Sequence, residues 1–263
     1  MRNWCRRCAP PARNRQGESP ARAKRVLGVQ GTRRTPMLLY GLPCVQEDAL
    51  PLPSPPTVIY TGAMRFKAIM VDVDGVLIVH PDQQGWSANL ERDLGISPAT
   101  LQAEFFRPHW QDIIHGRADL HSRLAPTLEK ISNGVSVETF IRYWFEKDSH
   151  VDQDLLGQLA KLRATGLTLH LATVQEHERA KYIWNTLRFK HHFDAMHYAA
   201  DLGSAKPDQE FFRTIEQRTG FLPSDLFFID DGPHNVEAAI ARGWSAAIWD
   251  GKARLADLLT SNF

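Results

Sequence analysis

Phe66-Lys67-Ala68-Ile69-Met70-Val71-Asp72-Val73-Asp74-Gly75-Val76 is an apolar run that breaks on two aspartates. Its length and its Asp-Gly ending predict a short buried strand over residues 66–73 followed by a turn. Asp72 and Asp74 then sit where that strand stops.

Downstream, strand-like and helix-like segments alternate. Leu155, Leu156, Leu159 and Leu162 share one face of a helix predicted over 152–164, and Gly166 supplies its stop. Strands are expected at 167–172, 194–199, 226–229 and 246–249, with helices at 176–188, 208–219 and 234–242. This alternation predicts an α/β fold, a parallel sheet covered on both faces. Ligands of such sheets bind beyond the carboxyl ends of the strands. Four polar places lie there: Asp72-Val73-Asp74-Gly75, Thr173, Lys206-Pro207 and Asp230-Asp231-Gly232.

The stretch 84–150 is too long for a simple crossover. Its helical character, with Trp86, Phe105, Phe106, Trp110, Phe140 and Trp144, reads as an inserted small helical cap. His109, His115 and His121 recur every six residues, a rotation of about 600°, so they share no helix face and read as surface or core of the cap.

The front end differs from the rest. Residues 1–63 hold ten Lys or Arg against three Asp or Glu, nine of the sixteen prolines and all three cysteines. Such a composition buries too little apolar surface to offset the entropy of ordering, so 1–63 reads as a disordered or non-native extension. Cys5-x-x-Cys8 offers half of a zinc site, but zinc takes four ligands, and only Cys44 joins them with no histidine in the segment. Pro10, Pro11, Pro20 and Pro36 interrupt the amphipathic helix that an organellar targeting peptide needs. The expected body is therefore 64–83 with 151–263 as catalytic core and 84–150 as cap. It has no cysteine, which excludes a disulfide, a thiolate metal site and a cysteine nucleophile there. No stretch approaches the ~20 apolar residues of a membrane span. A cytoplasmic protein is expected, with no nucleic-acid or membrane partner and an open oligomeric state.

Taken singly, each polar place has an ordinary reading. Asp-Gly is a turn, Thr173 a helix cap, Lys206-Pro207 a solvated loop. Together they should reach one end of the sheet. Carboxylates are ionised at neutral pH, and two of them ~4 Å apart repel by about 4 kcal/mol at an effective dielectric of 20. Asp72, Asp74, Asp230 and Asp231 therefore call for a cation, and all-oxygen ligation suits Mg²⁺. Lys206 adds positive charge and Thr173 a neutral donor. A carboxylate nucleophile, a metal and phosphate-binding donors suit phosphoryl transfer through an aspartyl-phosphate.

Asp72-x-Asp74-Gly75-Val76, Thr173, Lys206-Pro207 and Phe228-Ile229-Asp230-Asp231 resemble, in order, the four motifs of the haloacid dehalogenase-like (HAD) hydrolase superfamily. The run 201–212 resembles members with a small helical cap between motifs one and two. The resemblance implies a Rossmann-like sheet of order 3-2-1-4-5 and a phosphatase acting on a small phosphorylated metabolite. It implies that Asp72 attacks phosphorus and Asp74 serves as acid and base. Thr173, the Val174 backbone N–H and Lys206 would hold the phosphoryl group. Asp72, the Asp74 carbonyl and Asp230 or Asp231 would hold Mg²⁺. Val174 departs from the pattern, since many similar members carry Asn there. Rival readings are a phosphomutase, a metal-independent dehalogenase and a non-catalytic regulatory domain. The second motif-one aspartate and the Asp230-Asp231 pair favour phosphate chemistry.

Overall fold

The computed structural model describes residues 65–80 and 85–261. The readings made for the front end, Cys5, Cys8 and Cys44 included, lie outside the described residues.

Five parallel strands form one sheet: β1 (Ala68–Val71), β2 (Thr168–Thr173), β3 (Ala195–Tyr198), β4 (Leu226–Asp230) and β5 (Ser245–Ile248). Their order is β3-β2-β1-β4-β5, as the resemblance implied. Every pairing is parallel, so each crossover needs a helix. β1 is shorter than the predicted 66–73 because its ladder with both neighbours ends at Val71, level with Leu171 and Ile229. That register brings the carboxyl ends of β1, β2 and β4 to one level, one residue short of Asp72 and Asp230 and two short of Thr173.

Side chains alternate across the sheet. Ile69, Val71, Leu169, Leu171, Phe227 and Ile229 face one layer. There they meet Leu155, Leu159 and Leu162 of the Gln153–Arg163 helix and Leu255 and Leu259 of the Leu255–Ser261 helix. Met70, Ala172 and Phe228 face the other layer, against Phe211, Phe212 and Ile215 of the Gln209–Thr219 helix and Val236 and Ala239 of the Pro233–Ala241 helix. Each such Leu, Ile or Phe contributes roughly 1.5–3 kcal/mol by leaving water. Both faces are thus closed, and the strand ends are where polar groups can gather.

Between β1 and β2 the chain makes a helical insertion with its own aromatic core. Trp86, Phe106, Phe140 and Trp144 pack face to edge, with Trp86 stacked on Trp144 at 5.2 Å. Its helices include Arg107–Ile114, Leu120–Ile131 and Val137–Lys147. The two ends of the insertion run side by side. Val79 N–H donates to the His150 carbonyl (2.9 Å), and Asp152 N–H to the Leu77 carbonyl (2.8 Å).

Arg179, in the helix His177–Lys181 after β2, ties the far end of the insertion to the sheet layer. Its guanidinium donates to the carbonyls of Phe145 (3.1 Å) and Asp148 and lies over the Phe145 and Tyr182 rings. A second approach is closer still. Gly116, with φ +70°, lies so near Ala200 that a Cβ there would stand 2.4 Å from the Ala200 carbonyl oxygen. No described helix is long and apolar enough to cross a membrane.

Candidate active site

Asp72 follows β1 directly, and its N–H continues the ladder to the Ile229 carbonyl at 3.0 Å. This places its side chain beside the end of β4, where Asp230 closes the strand. The Asp72 Oδ1 accepts from Val73 N–H at 2.7 Å. Lys206 reaches the same point from the loop after β3. Its Nζ lies 2.9 Å from Asp72 Oδ1 and 2.5 Å from Asp230 Oδ2, and it stands over the Phe228 ring. All three residues are buried.

Asp230 is anchored on its other oxygen. Oδ1 accepts from Gly232 N–H at 2.7 Å and from the Asn235 amide at 2.9 Å. Asp231 completes an acidic group. Asp72, Asp230 and Asp231 each offer a carboxylate oxygen, all within 4.8 Å of one another.

The electrostatics follow from this crowding. Burial drives the Asp72 carboxyl well above the ordinary carboxylate range. Lys206 opposes that rise, while Asp230 and Asp231 add to it. Burial also works against the Lys206 ammonium, but Asp230 and Asp72 together hold its pKa above the usual lysine value. Three carboxylates against one buried ammonium leave a formal surplus of two negative charges. A hard divalent cation with oxygen ligands matches that surplus in both charge and chemistry.

A second network lies alongside. Thr173 ends β2 and is buried. The Gln175 amide, two residues on, donates to Asp74 Oδ2 at 2.9 Å and reaches Thr173 Oγ1 at 3.4 Å. The other Asp74 oxygen, Oδ1, is buried without a hydrogen-bond partner among the described residues. Asp74 itself is held in a tight turn, where the Val73 carbonyl accepts from Leu77 (2.9 Å) and Ile78 (2.7 Å). Val174 turns its side chain to a small apolar cluster of Ile114, Ala199 and Ala205, so the insertion meets the sheet next to Thr173.

The seven candidates from the sequence therefore fall into two adjoining networks at one end of the sheet. Asp72, Lys206, Asp230 and Asp231 form the first. Asp74 and Thr173 are joined through Gln175, with Val174 between Thr173 and Gln175 in the loop. Gln175 and Asn235 were not anticipated. Both lie just past strand ends, in the loop after β2 and the first turns of the helix after β4. That placement is the only signal they carry in the sequence.

The comparisons with known proteins agree with this fold. A HAD family enzyme from Bacteroides thetaiotaomicron, an aspartate-to-alanine mutant in complex with magnesium and inorganic phosphate, superposes with a TM-score of 0.62 at 20% identity, over 73% of this chain and 98% of that one. A protein described as a predicted HAD-like family hydrolase from Porphyromonas gingivalis gives 0.61 at 20% identity, over 76% and 98%. L-2-haloacid dehalogenase from Xanthobacter autotrophicus, with chloropropionic acid covalently bound, gives 0.53 at 21% identity, over 74% and 83%. At these identities the likeness speaks for the fold. A sequence-family model described as haloacid dehalogenase-like hydrolase matches residues 66–243, well over half of the chain, and the chain belongs to that family.

Proposed function

We propose that this chain is a Mg²⁺-dependent phosphatase acting on a small phosphorylated metabolite through an aspartyl-phosphate on Asp72. The observation that carries the reading is the buried Lys206 clamped between Asp72 and Asp230, with Asp231 beside them. A lone carboxylate nucleophile would be balanced by the lysine alone. The two further acidic groups suit a divalent cation, and a metal suits a phosphate more than a haloacid. The Bacteroides thetaiotaomicron structure with magnesium and inorganic phosphate supports the same assignment.

In this reading the side chains of Asp72 and of Asp230 or Asp231, with the Asp74 carbonyl, hold Mg²⁺. When bound, the ion offsets the surplus negative charge and draws electron density from the phosphoryl oxygens. Lys206 screens the approach of Asp72 to an anionic phosphate. Asp72 then forms the O–P bond as the bond from phosphorus to the leaving oxygen breaks, and Asp74 delivers its proton to that oxygen. Thr173 and the Val174 N–H hold the transferring group. In the second step Asp74 takes a proton from water as the water oxygen attacks phosphorus. The Asp72–P bond breaks, releasing inorganic phosphate and restoring the free carboxylate. The cap, residues 84–150 in this division, encloses the leaving group.

Screening the purified protein against phosphorylated metabolites with Mg²⁺ tests the reading. Turnover of at least one, abolished by EDTA and restored by Mg²⁺, is the expected result. Full turnover in excess chelator would end the metal-dependent reading, and no turnover of any phosphorylated metabolite would revive the dehalogenase one.

A further inference from the structure

Gln175 is buried between Thr173 and Asp74, yet it has no part in the scheme above. Its amide nitrogen faces the Asp74 carboxyl group, whose Oδ2 accepts from it. One amide hydrogen serves Asp74 Oδ2 and the other points to Thr173 Oγ1. Two consequences follow. The Asp74 carboxyl group is held by one oxygen, and its other oxygen, Oδ1, is left buried and without a partner among the described residues. The Thr173 oxygen is engaged as an acceptor, so its own proton is available to another group.

We propose that Gln175 is the positioning residue for Asp74. It holds the carboxylate by Oδ2 so that Oδ1 is the oxygen that passes the proton to the leaving group and later takes one from water. The inference rests on the proposed phosphatase roles of Asp72 and Asp74. A merely structural role is the competing explanation. Against it, the loop has a separate anchor: the Gln175 carbonyl accepts from Ala200 N–H at 3.1 Å, independently of the side chain. The side chain itself spans from one proposed catalytic group to another.

The test uses Gln175→Met, close in shape without the donor, and Gln175→Glu, which replaces the donor with an acceptor. Two probes differ in leaving group: p-nitrophenyl phosphate, which needs little protonation, and phenyl phosphate, which needs more. For both variants, turnover of phenyl phosphate should fall by roughly 10–100-fold with KM changed less than about 3-fold. The first-turnover burst of p-nitrophenol should stay within about 3-fold of wild type, with phosphoryl label accumulating on the protein. Equal losses in the burst and in phenyl phosphate turnover would reveal a structural role and overturn the inference. So would wild-type turnover of phenyl phosphate in both variants. If Gln175→Met fails to fold, Gln175→Glu decides alone. Asp74→Asn run alongside separates the two levels. If it shows the leaving-group split and the Gln175 variants do not, only the positioning role falls. If Asp74→Asn shows no split, the acid–base reading falls and the positioning role with it.

Discussion

The Lys206 ammonium lies 2.9 Å from the Asp72 carboxylate, and both side chains are buried at the end of β1. Their contact places a positive charge on the proposed nucleophile from a loop remote in sequence. It also makes Lys206 the sole described counter-charge within ion-pair distance of Asp72.

Lys206→Met should therefore damage both stability and function. Removing one partner of a buried ion pair costs about 3–5 kcal/mol, because the remaining charges stay buried without compensation. Here Asp72 and Asp230 would both lose their ammonium. Urea unfolding should show a loss of this order, and turnover should drop to background. Near-wild-type values for both would mean that Lys206 does not neutralise this site.

The approach of the insertion to the sheet layer can be tested with a matched pair of glycines. Gly116 has φ +70° and would place a Cβ 2.4 Å from the Ala200 oxygen, whereas Gly134 has φ +78° with nothing within 4 Å. Alanine in the left-handed region costs about 1–2 kcal/mol at either place. Only Gly116→Ala should also push the insertion away from Ala200. Thermal melts should show the larger loss for Gly116→Ala, and only that variant should lose turnover. Equal effects of the two variants would show that the Gly116–Ala200 approach does nothing beyond backbone strain.

A pH effect on stability is expected from a site far from the aspartates. His170 and His197, on neighbouring strands, stack with 5.3 Å between centroids and share a 3.0 Å contact between ring nitrogens. Burial, helped by His170 and Arg218, brings His197 down from 6.5 to about 4. Its folded pKa is below the unfolded one, so the folded state prefers the neutral ring. That stabilisation is present above pH 6.5 and is lost as the pH falls toward 4. The full difference is worth roughly 3 kcal/mol. His197→Phe keeps a stacked ring without the proton, so its stability should fall less than wild type between neutral and acidic pH. Parallel pH curves in urea unfolding would refute the assignment.

Much of this site was legible because polar residues interrupt apolar runs at strand ends. Asp72 and Asp230 break buried strands, and Thr173 closes one, so their placement followed from strand boundaries alone. The sheet order was legible only through the resemblance, since parallel strands look alike in hydropathy. The loop after β2 carries its side-chain amide at Gln175, while position 174 holds Val packed under Ile114. Nothing in residue type could reveal that, because the contact to Asp74 depends on how the chain turns after Thr173. Helix detail was also hidden. The predicted helix at 176–188 is an α-helix at His177–Lys181 followed by a π-helical turn at Tyr182–Thr186. The two differ by one residue in hydrogen-bond offset, and a hydrophobic period read over so short a segment does not separate them. A similar π turn at Gln102–Phe106 lies in the insertion, where the aromatic content was clear but the helix boundaries were not.

The central claim is that phosphorus becomes bonded to Asp72 and that Asp74 governs its release. Asp72→Asn keeps the shape but removes the anionic nucleophile, and turnover should fall by at least ~10³. Asp74→Asn leaves the nucleophile in place, so with p-nitrophenyl phosphate it should form the intermediate and hydrolyse it slowly. The most direct measurement is rapid-quench mass spectrometry of Asp74→Asn mixed with p-nitrophenyl phosphate and Mg²⁺. A single phosphoryl group mapped to Asp72, absent when Asp72 is also changed to Asn, is the predicted result. Label on a histidine or serine, or wild-type turnover in Asp72→Asn, would contradict it.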